Sequence, residues 1–246
     1  MLNLLIVGQS HVAAFRSAAK ARREHDPEAP RTRTIHLGEE RYAPALIEDE
    51  SVARFGEALV REIDDQIGRH TPRVASCIGG NVHNALALLR HPRPFDFILS
   101  GVAEPQTIEA GAEPVPEDLV RAALMDGMAD DLVRLRLLAS RAPVLVHLQS
   151  PPPLASDAQI AERADAFFQS RGIAATGVAS NGLRRRMWLL QSRIMAEACA
   201  ELGIPYLSVP PQAMDADGFL RPDLSADATH GNGGYGEIWI RTLEAL

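Results

Sequence analysis

The sequence predicts an α/β fold in which a mainly parallel sheet carries helices on both faces. Short apolar runs alternate with longer segments of helical spacing along the 246 residues, and this alternation is typical of parallel sheets. Residues 4–7 and 144–146 are continuously apolar, as expected for strands that are buried on both faces. We expect residues 1–246 to form a single domain, because this length suits one large α/β unit.

Strands are expected where short apolar runs end at turn residues or at the start of a helical pattern. The candidate strands cover residues 2–7, 34–37, 74–78, 95–99, 144–148 and 204–209. The run 95–99 is short, so its membership of the sheet stays open.

Helices are expected where apolar residues recur three or four positions apart. The candidate helices cover residues 10–24, 51–69, 82–89, 117–140, 181–202 and 234–246. Ser51 is a favourable N-cap for the second of these helices, and Gly203 ends the fifth. Residues 151–178 are the least patterned stretch and could form an insertion, a flexible lid or a core helix over 158–168.

The charge balance argues against nucleic acid as the main ligand. The chain has 25 basic and 32 acidic residues and a net charge of −7, without the concentrated basic surface that binds phosphate backbones. No apolar run approaches the ~18 residues of a membrane-spanning helix, so no membrane partner is expected. The first residues lack the basic region and cleavage site of a signal peptide, which makes the cytoplasm the expected compartment. Cys77 and Cys199 lie in apolar stretches and are expected to be buried thiols.

Three polar segments lie where strands end or where the last helix is about to begin. Residues 8–11 read Gly-Gln-Ser-His after the first strand, and residues 79–81 read Gly-Gly-Asn after the third. Residues 227–230 read Asp-Ala-Thr-His before the last helix. Ligands of open α/β sheets bind at the carboxyl ends of the strands, so the first two segments are expected to share one cleft.

These segments supply the groups of a nucleophilic serine site. A serine hydroxyl becomes a good nucleophile when an imidazole takes its proton and a carboxylate orients the imidazole. Asp227 and His230 are three residues apart and fit on one turn, and the order Ser10, Asp227, His230 is one of the known chain orders. The amide of Ser10 and the side chain of Asn81 are candidate hydrogen-bond donors to the oxyanion.

Together, Ser10 in a Gly-x-Ser block, Asn81 in a Gly-x-Asn block and the Asp227-x-x-His230 pair resemble the motifs of the SGNH (GDSL-type) hydrolases. The resemblance spans nearly the whole chain and implies a flavodoxin-like, three-layer α/β/α sandwich with a five-stranded sheet. It also implies hydrolysis of small esters, thioesters or O-acetyl groups on sugars, with no metal or cofactor. It makes Ser10 the nucleophile, His230 the general base, Asp227 its orienting acid, and the Ser10 amide and Asn81 side chain the oxyanion donors.

Three positions depart from the pattern of that family. Gln9 stands where the family usually has aspartate, and Val82 stands where an aspartate often follows the asparagine. The glycine that gives the family an oxyanion amide after the second strand is matched by Gly38, which comes a few residues early. If Gly38 does not serve, the third donor is missing or is another backbone amide. Loss of one such donor typically lowers turnover about 10²–10³-fold.

Residues beside these blocks give further candidates. His11, Gly80 and His83 are candidate substrate-binding residues. For His11 the alternatives are a supporting position behind the nucleophile and a place at the start of the helix. Ser10 and Asn81 have the ordinary alternative of capping the helices that follow them.

Three other features receive non-catalytic interpretations. His147 lies within a predicted strand and is expected to be buried. For the arginines at 184–186, a solvated helix face is favoured over a site for an anionic substrate. Residues 231–236 match the dinucleotide pattern GxGxxG, but no strand precedes them, so the pattern indicates a tight turn rather than a nucleotide site.

The sequence thus predicts a serine esterase that cleaves small acyl esters, acetyl esters above all, on a carbohydrate or small metabolite. That small molecule is the expected partner, and the oligomeric state stays open. An acyltransferase is one alternative, because it forms the same acyl-enzyme and differs in excluding water. A non-catalytic binding module is another, because Gln9 and the second block depart from the pattern. A metal hydrolase using His83, His147 and His230 is disfavoured, since their spacing fits no recognised metal motif.

Overall fold

The computed structural model describes residues 4–49, 52–142 and 145–246. Its strands are β1 (Leu4–Gly8), β2 (Thr32–His36), β3 (Leu46–Asp49), β4 (Val52–Phe55), β5 (Arg73–Cys77), β6 (Phe95–Asp96), β7 (Glu113–Pro114), β8 (Leu145–Leu148) and β9 (Tyr206–Leu207). Its α-helices are α1 (Val12–His25), α2 (Glu57–His70), α3 (Val82–Ala87), α4 (Glu117–Gly127), α5 (Ala129–Ala139), α6 (Asp157–Arg163), α7 (Ala166–Ser170), α8 (Ile173–Thr176), α9 (Asn181–Glu201) and α10 (Gly233–Glu244).

The central sheet has the strand order β2-β1-β5-β8-β9, and each neighbouring pair is parallel. Counted along the chain within this sheet, the order is 2-1-3-4-5, which is the flavodoxin-like order. Strand β1 is buried along its whole length and pairs on both sides, with Leu4 opposite Thr32 in β2 and Arg73 in β5. The predicted five-stranded parallel sheet is therefore confirmed.

Helices cover both faces of this sheet, as the side chains of β1 show by pointing alternately to two buried clusters. Leu5 and Val7 belong to the cluster that includes residues of α2, α4, α5 and α9. Leu4 and Ile6 belong to the cluster that includes residues of α1 and α10. Helices α1 and α10 also pack against each other. The three-layer arrangement thus places the helix after Ser10 beside the helix after His230.

The strands of the sheet confirm five predicted runs, with ends shifted by a few residues: 2–7, 34–37, 74–78, 144–148 and 204–209. Residues 2, 3 and 144 lie outside the described residues. The run 95–99 is not in the central sheet, because only β6 is extended and it pairs with β7 in a separate ladder. The Asp96 carboxylate accepts the amides of Phe97 and Glu109, and these local hydrogen bonds replace a longer strand.

The predicted helix at 51–69 is wrong in its first turn, and Ser51 itself lies outside the described residues. Strand β4 occupies this turn and pairs with β3 in an antiparallel ladder. Phe55 in β4 and Leu59 in α2 are both buried, so an apolar stripe of helical spacing crosses two elements.

Gly56 separates these two elements. Its amide donates to the Ala45 carbonyl oxygen at 3.1 Å. A Cβ at this position would lie 2.2 Å from the Pro44 carbonyl oxygen. The close approach of the preceding loop therefore requires glycine here, and the helix begins only after it.

Two other helical predictions need correction. The segment 117–140 forms two helices, α4 and α5, with Met128 between them at a ψ of −2°. The core helix considered over 158–168 is divided between α6 and α7, and Ile160 and Phe168 are buried. Residues 151–178 therefore pack on the core through short helices.

The solvated face expected for the arginines at 184–186 is wrong for two of them. The Arg184 side chain is 1% exposed and binds Asp157 at 2.8 Å. It also donates to the carbonyl oxygens of Leu154, Ala155 and Ala179. Arg186 donates to the buried carboxylate of Asp96 at 2.5 Å. These arginines tie α9 to neighbouring loops, which is a structural use of the cluster.

Other buried groups agree with the sequence. Cys77 and Cys199 are buried free thiols, and burial raises the pKa of each to about 12. His147 is buried, with Nδ1 3.1 Å from the Ser76 hydroxyl. Within the described ranges, no helix has both the length and the apolarity to cross a membrane.

Candidate active site

The candidate nucleophile lies at the carboxyl end of β1, whose five residues are all buried. Ser10 is in the turn between β1 and α1, and Asn81 follows β5, which is the neighbour of β1 in the sheet. Gly8 and Cys77 are opposite each other in this pair. A Cβ on Gly8 would lie 2.5 Å from the Cys77 sulfur. The glycine thus allows the two strand ends, and the polar residues after them, to come close together.

The loop before α10 holds an imidazole against a carboxylate. The Asp227 carboxylate accepts the backbone amides of Thr229 at 2.8 Å and His230 at 2.9 Å. Its Oδ2 lies 2.9 Å from Nδ1 of the His230 ring. Burial by itself raises the pKa of Asp227, but the hydrogen bonds from His230 and Thr229 outweigh it and hold the pKa below its usual value. With a proton on Nδ1, the His230 Nε2 is left to accept one.

Asn81 connects the hydroxyl and the imidazole. Its Nδ2 lies 3.3 Å from Ser10 Oγ and 3.1 Å from His230 Nε2. Its Oδ1 accepts a hydrogen bond from Asn84 at 3.1 Å, so the amide is oriented with its NH₂ group toward these two atoms. The structure therefore brings Ser10, Asn81, Asp227 and His230 together, with the Asn81 amide as the common contact.

Gln9 has a partner that sequence reasoning missed. Its Nε2 donates to Asp131 Oδ1 in α5 at 2.5 Å, and its Oε1 accepts the Gly79 amide at 2.6 Å. An aspartate at position 9 would face the Asp131 carboxylate, whereas an amide both donates to it and accepts from Gly79. Burial raises the pKa of Asp131, although Gln9 and Arg134 oppose the shift. The glutamine that stands at position 9 in place of aspartate therefore pairs with an acidic residue, Asp131, from a helix that is distant in the chain.

The candidate substrate-binding residues His11, Gly80 and His83 are all buried. The His11 ring centroid is 5.0 Å from that of His230. Burial, with the nearby His230, lowers the pKa of His11 to about 3, and burial lowers that of His83 to about 4. Gly80 has a φ of +103°, and a Cβ there would lie 2.8 Å from His11 Nε2. The Gly80 backbone thus packs directly on the His11 ring.

Gly38 and Ser10 line different grooves. Gly38 lines a groove together with Gln9, Leu46 and Arg134. Ser10, Asp227 and His230 line a second groove, which runs along α1 and which we call the α1 groove. The oxyanion role of Gly38 stays a prediction.

The described residues offer no alternative metal centre. Across residues 4–49, 52–142 and 145–246, no group of three or more His, Cys, Asp or Glu side chains is arranged to hold a metal ion. His83 and His147, which the metal hypothesis requires, are both buried, and His147 contacts Ser76.

No protein-family model and no curated protein matches this chain. Solved structures do match, among them the periplasmic domain of a lipopolysaccharide acetyltransferase from Salmonella ser. Paratyphi A, with 12% identity, a TM-score of 0.47, and coverage of 99% of this chain and 82% of the other. A carbohydrate acetylesterase from Sinorhizobium meliloti matches with 13% identity, a TM-score of 0.43 and coverage of 100% and 99%. A GDSL-like lipase from Bacteroides thetaiotaomicron matches with 14% identity, a TM-score of 0.41 and coverage of 99% and 89%. At such low identity these matches record a likeness of fold, and the chemistry rests on the residues of this chain.

Proposed function

We propose that this protein is a serine esterase that removes small acyl groups, acetyl above all, from a carbohydrate or another small metabolite. One observation carries the proposal: the Asn81 amide lies within hydrogen-bond distance of both Ser10 Oγ and His230 Nε2, and Asp227 supports the far side of the imidazole. A hydroxyl, a base, an orienting acid and an amide donor are the parts that acyl transfer through a serine needs.

The reaction follows from these positions. His230 Nε2 takes the proton of Ser10 as its oxygen attacks the ester carbonyl carbon. The developing oxyanion accepts hydrogen bonds from the Asn81 side chain and the Ser10 amide, which are worth more in a site of low dielectric than in water. His230 then gives its proton to the leaving alcohol. Water then attacks the acyl carbonyl carbon as His230 takes its proton, and the bond to Ser10 Oγ breaks as His230 returns that proton to the serine and the free acid leaves.

Asn81 has a further part in this cycle. In the described structure its NH₂ group lies between the hydroxyl and the imidazole. The hydroxyl and the imidazole must approach each other as the carbonyl oxygen arrives and takes the amide as its donor. Catalytic hydrogen bonds are often long before substrate binds. This exchange of partners would couple substrate binding to activation of Ser10.

The test is covalent labelling with a fluorophosphonate, which reacts with activated serines. We expect one label per chain on Ser10, no label in Ser10→Ala, and strongly slowed labelling in His230→Ala. Ser140→Ala, which changes an exposed serine bound to the Leu137 carbonyl oxygen, is the control and should label normally. A folded protein that takes no label would contradict the proposal and favour a non-catalytic binding module.

Turnover of acetyl esters completes the test. Release of acetate from 4-nitrophenyl acetate and from acetylated sugars should depend on Ser10. Added alcohols then distinguish the acyltransferase alternative, because an acyltransferase would form the new ester in preference to free acetate. If acetate is the main product at high alcohol concentration, the enzyme is an esterase.

A further inference from the structure

We propose that the α1 groove selects esters whose alcohol part carries an anionic group, a carboxylate or a phosphate. This inference rests on the esterase function proposed above and adds the charge of its substrate. The groove has a volume of about 790 Å³ and begins at Ser10 and His230. It is lined by α1, by the end of β2 and by the loop before α10, and its ionisable side chains are Arg16, Lys20, His36, Asp227 and His230.

The ionisable side chains along this groove are mainly basic. Arg16 and Lys20 are one helical turn apart on α1, and His36 lies at the end of β2. Asp227 is the acidic side chain of the lining, and its carboxylate is bound to His230. An anion in the groove would therefore meet two cationic side chains and His36, and the one carboxylate of the lining is already bound to His230.

The acidic residues that pair with Arg16 and Lys20 leave part of the positive charge of these two side chains available to an anion. Glu39 accepts hydrogen bonds from both Arg16 at 2.6 Å and Arg41 at 2.7 Å, so one carboxylate is shared by two guanidinium groups. Lys20 pairs with Glu24 at 3.8 Å through side chains that are 75% and 67% exposed. Such exposed pairs contribute little, and a bound anion can take the place of Glu24.

The other groove beside the nucleophile has a different charge. The groove that contains Gln9 and Gly38 is lined by two acids, Glu48 and Asp130, and by Arg134. Arg134 is already bound to Asp130 at 3.0 Å and to Asp131 at 3.1 Å. Gln9, which precedes Ser10 in the chain, lines this groove, so the groove is the alternative course for the alcohol part of an ester. The basic lining directs an anionic part along α1.

The basic lining of the α1 groove contrasts with the acidic character of the protein as a whole. A net charge of −7 repels anions at a distance, since the field of the protein sums over all its charges. Basic side chains in the groove next to the nucleophile oppose that repulsion where the ester must bind. Lys20, the one lysine of the sequence, is among them.

The experiment compares three monoacetylated sugars that differ in charge: a methyl hexoside, the matching methyl hexuronide and the matching hexoside 6-phosphate. We expect kcat/KM to be about tenfold higher for at least one anionic ester than for the neutral one, and the preference to shrink as salt is added. The uronide and phosphate arms show which anion the groove takes. In Arg16→Gln/Lys20→Gln the ratio of anionic to neutral kcat/KM should fall about tenfold.

Arg69→Gln is a control that removes one positive charge outside the groove. Arg69 is 69% exposed and pairs with Asp65 four residues earlier, on α2 in the opposite helix layer. This variant should keep the ratio, which separates a local effect from a change in net charge. Equal kcat/KM for all three esters, or the same ratio in the double variant as in the native protein, would overturn the inference and leave the esterase function standing. Failure of the esterase function itself would appear as absence of turnover with all three esters and with 4-nitrophenyl acetate.

Discussion

His230 and His11 lie side by side, with ring centroids 5.0 Å apart, yet they have opposite surroundings. His230 contacts a carboxylate through Nδ1 and the Asn81 amide through Nε2. His11 is buried against the Gly80 backbone, and its pKa is lowered to about 3 by burial and by His230. The difference teaches what the proposed mechanism requires of its base, which is a carboxylate partner and access to the groove rather than closeness to the serine along the chain.

The strongest test of the different roles of His230 and His11 is to remove each imidazole in turn. His230→Ala should lower kcat for an acetyl ester by about 10⁶-fold, the size of the loss when a triad base is removed. His11→Phe keeps a packed ring and should lower kcat only about tenfold, through small shifts of its neighbour. Steady-state kinetics with 4-nitrophenyl acetate measures both. A larger loss in His11→Phe than in His230→Ala would reverse the two roles.

The carboxylate partner is the next part to test. Asp227→Asn should lower kcat by about 10⁴-fold, because an amide does not hold the proton on His230 Nδ1 or stabilise the imidazolium. Asp223→Asn is the control: Asp223 is 60% exposed and pairs with Arg221 in the same region of the chain. Pre-steady-state acetate release distinguishes the two variants. Equal losses would mean that the carboxylate acts only through the structure of the loop.

Asn81 contacts the other ring nitrogen of His230, Nε2, and can be tested in the same way. Asn81→Ala should lower kcat about 10²–10³-fold, because it removes one donor to the oxyanion. The loss should appear mainly in kcat, since a donor that acts in the transition state contributes little to ground-state binding. Asn81→Asp keeps the size of the side chain but places an oxygen next to the oxyanion, so its loss should be at least as large. A rise in KM with unchanged kcat would assign Asn81 to substrate binding instead.

Sequence reasoning succeeded where a feature is local. The continuous apolar run of β1 and the three-residue spacing of Asp227 and His230 can each be read from a short window. Contacts between distant residues were missed where no motif marked both partners. The hydrogen bond from Gln9 to Asp131 joins residues 122 positions apart. The buried Arg184 donates to carbonyl oxygens in the loop before α6 and to that of Ala179. A residue type states what a side chain can donate or accept, whereas only the fold states whether a partner meets it.

Acid should destabilise the protein through its packed histidines. Burial lowers the pKa of His11 and of His147 to about 3, and that of His83 to about 4, against an ordinary value of about 6.5. Below pH 6.5 the unfolded chain therefore binds protons that the folded protein does not. The free energy of unfolding is highest above that pH and falls as the pH drops toward 4, by about 1.4 kcal/mol per unit for each such histidine. Between pH 6.5 and pH 5 the free energy of unfolding therefore falls by about 2 kcal/mol for each of these three histidines.

Urea unfolding followed by circular dichroism at pH 7 and pH 5 measures this loss. His83→Gln and His147→Gln should each reduce the difference in unfolding free energy between the two pH values by about 2 kcal/mol. Ser192→Ala, which removes a buried hydroxyl that accepts from Gln149, provides the control. It contains no titrating group, so we expect the same destabilisation at both pH values. A native protein that is equally stable at pH 7 and pH 5 would show that these rings take up protons while folded. Their pKa values would then not be lowered by burial, and the electrostatic contrast between His11 and His230 would fail.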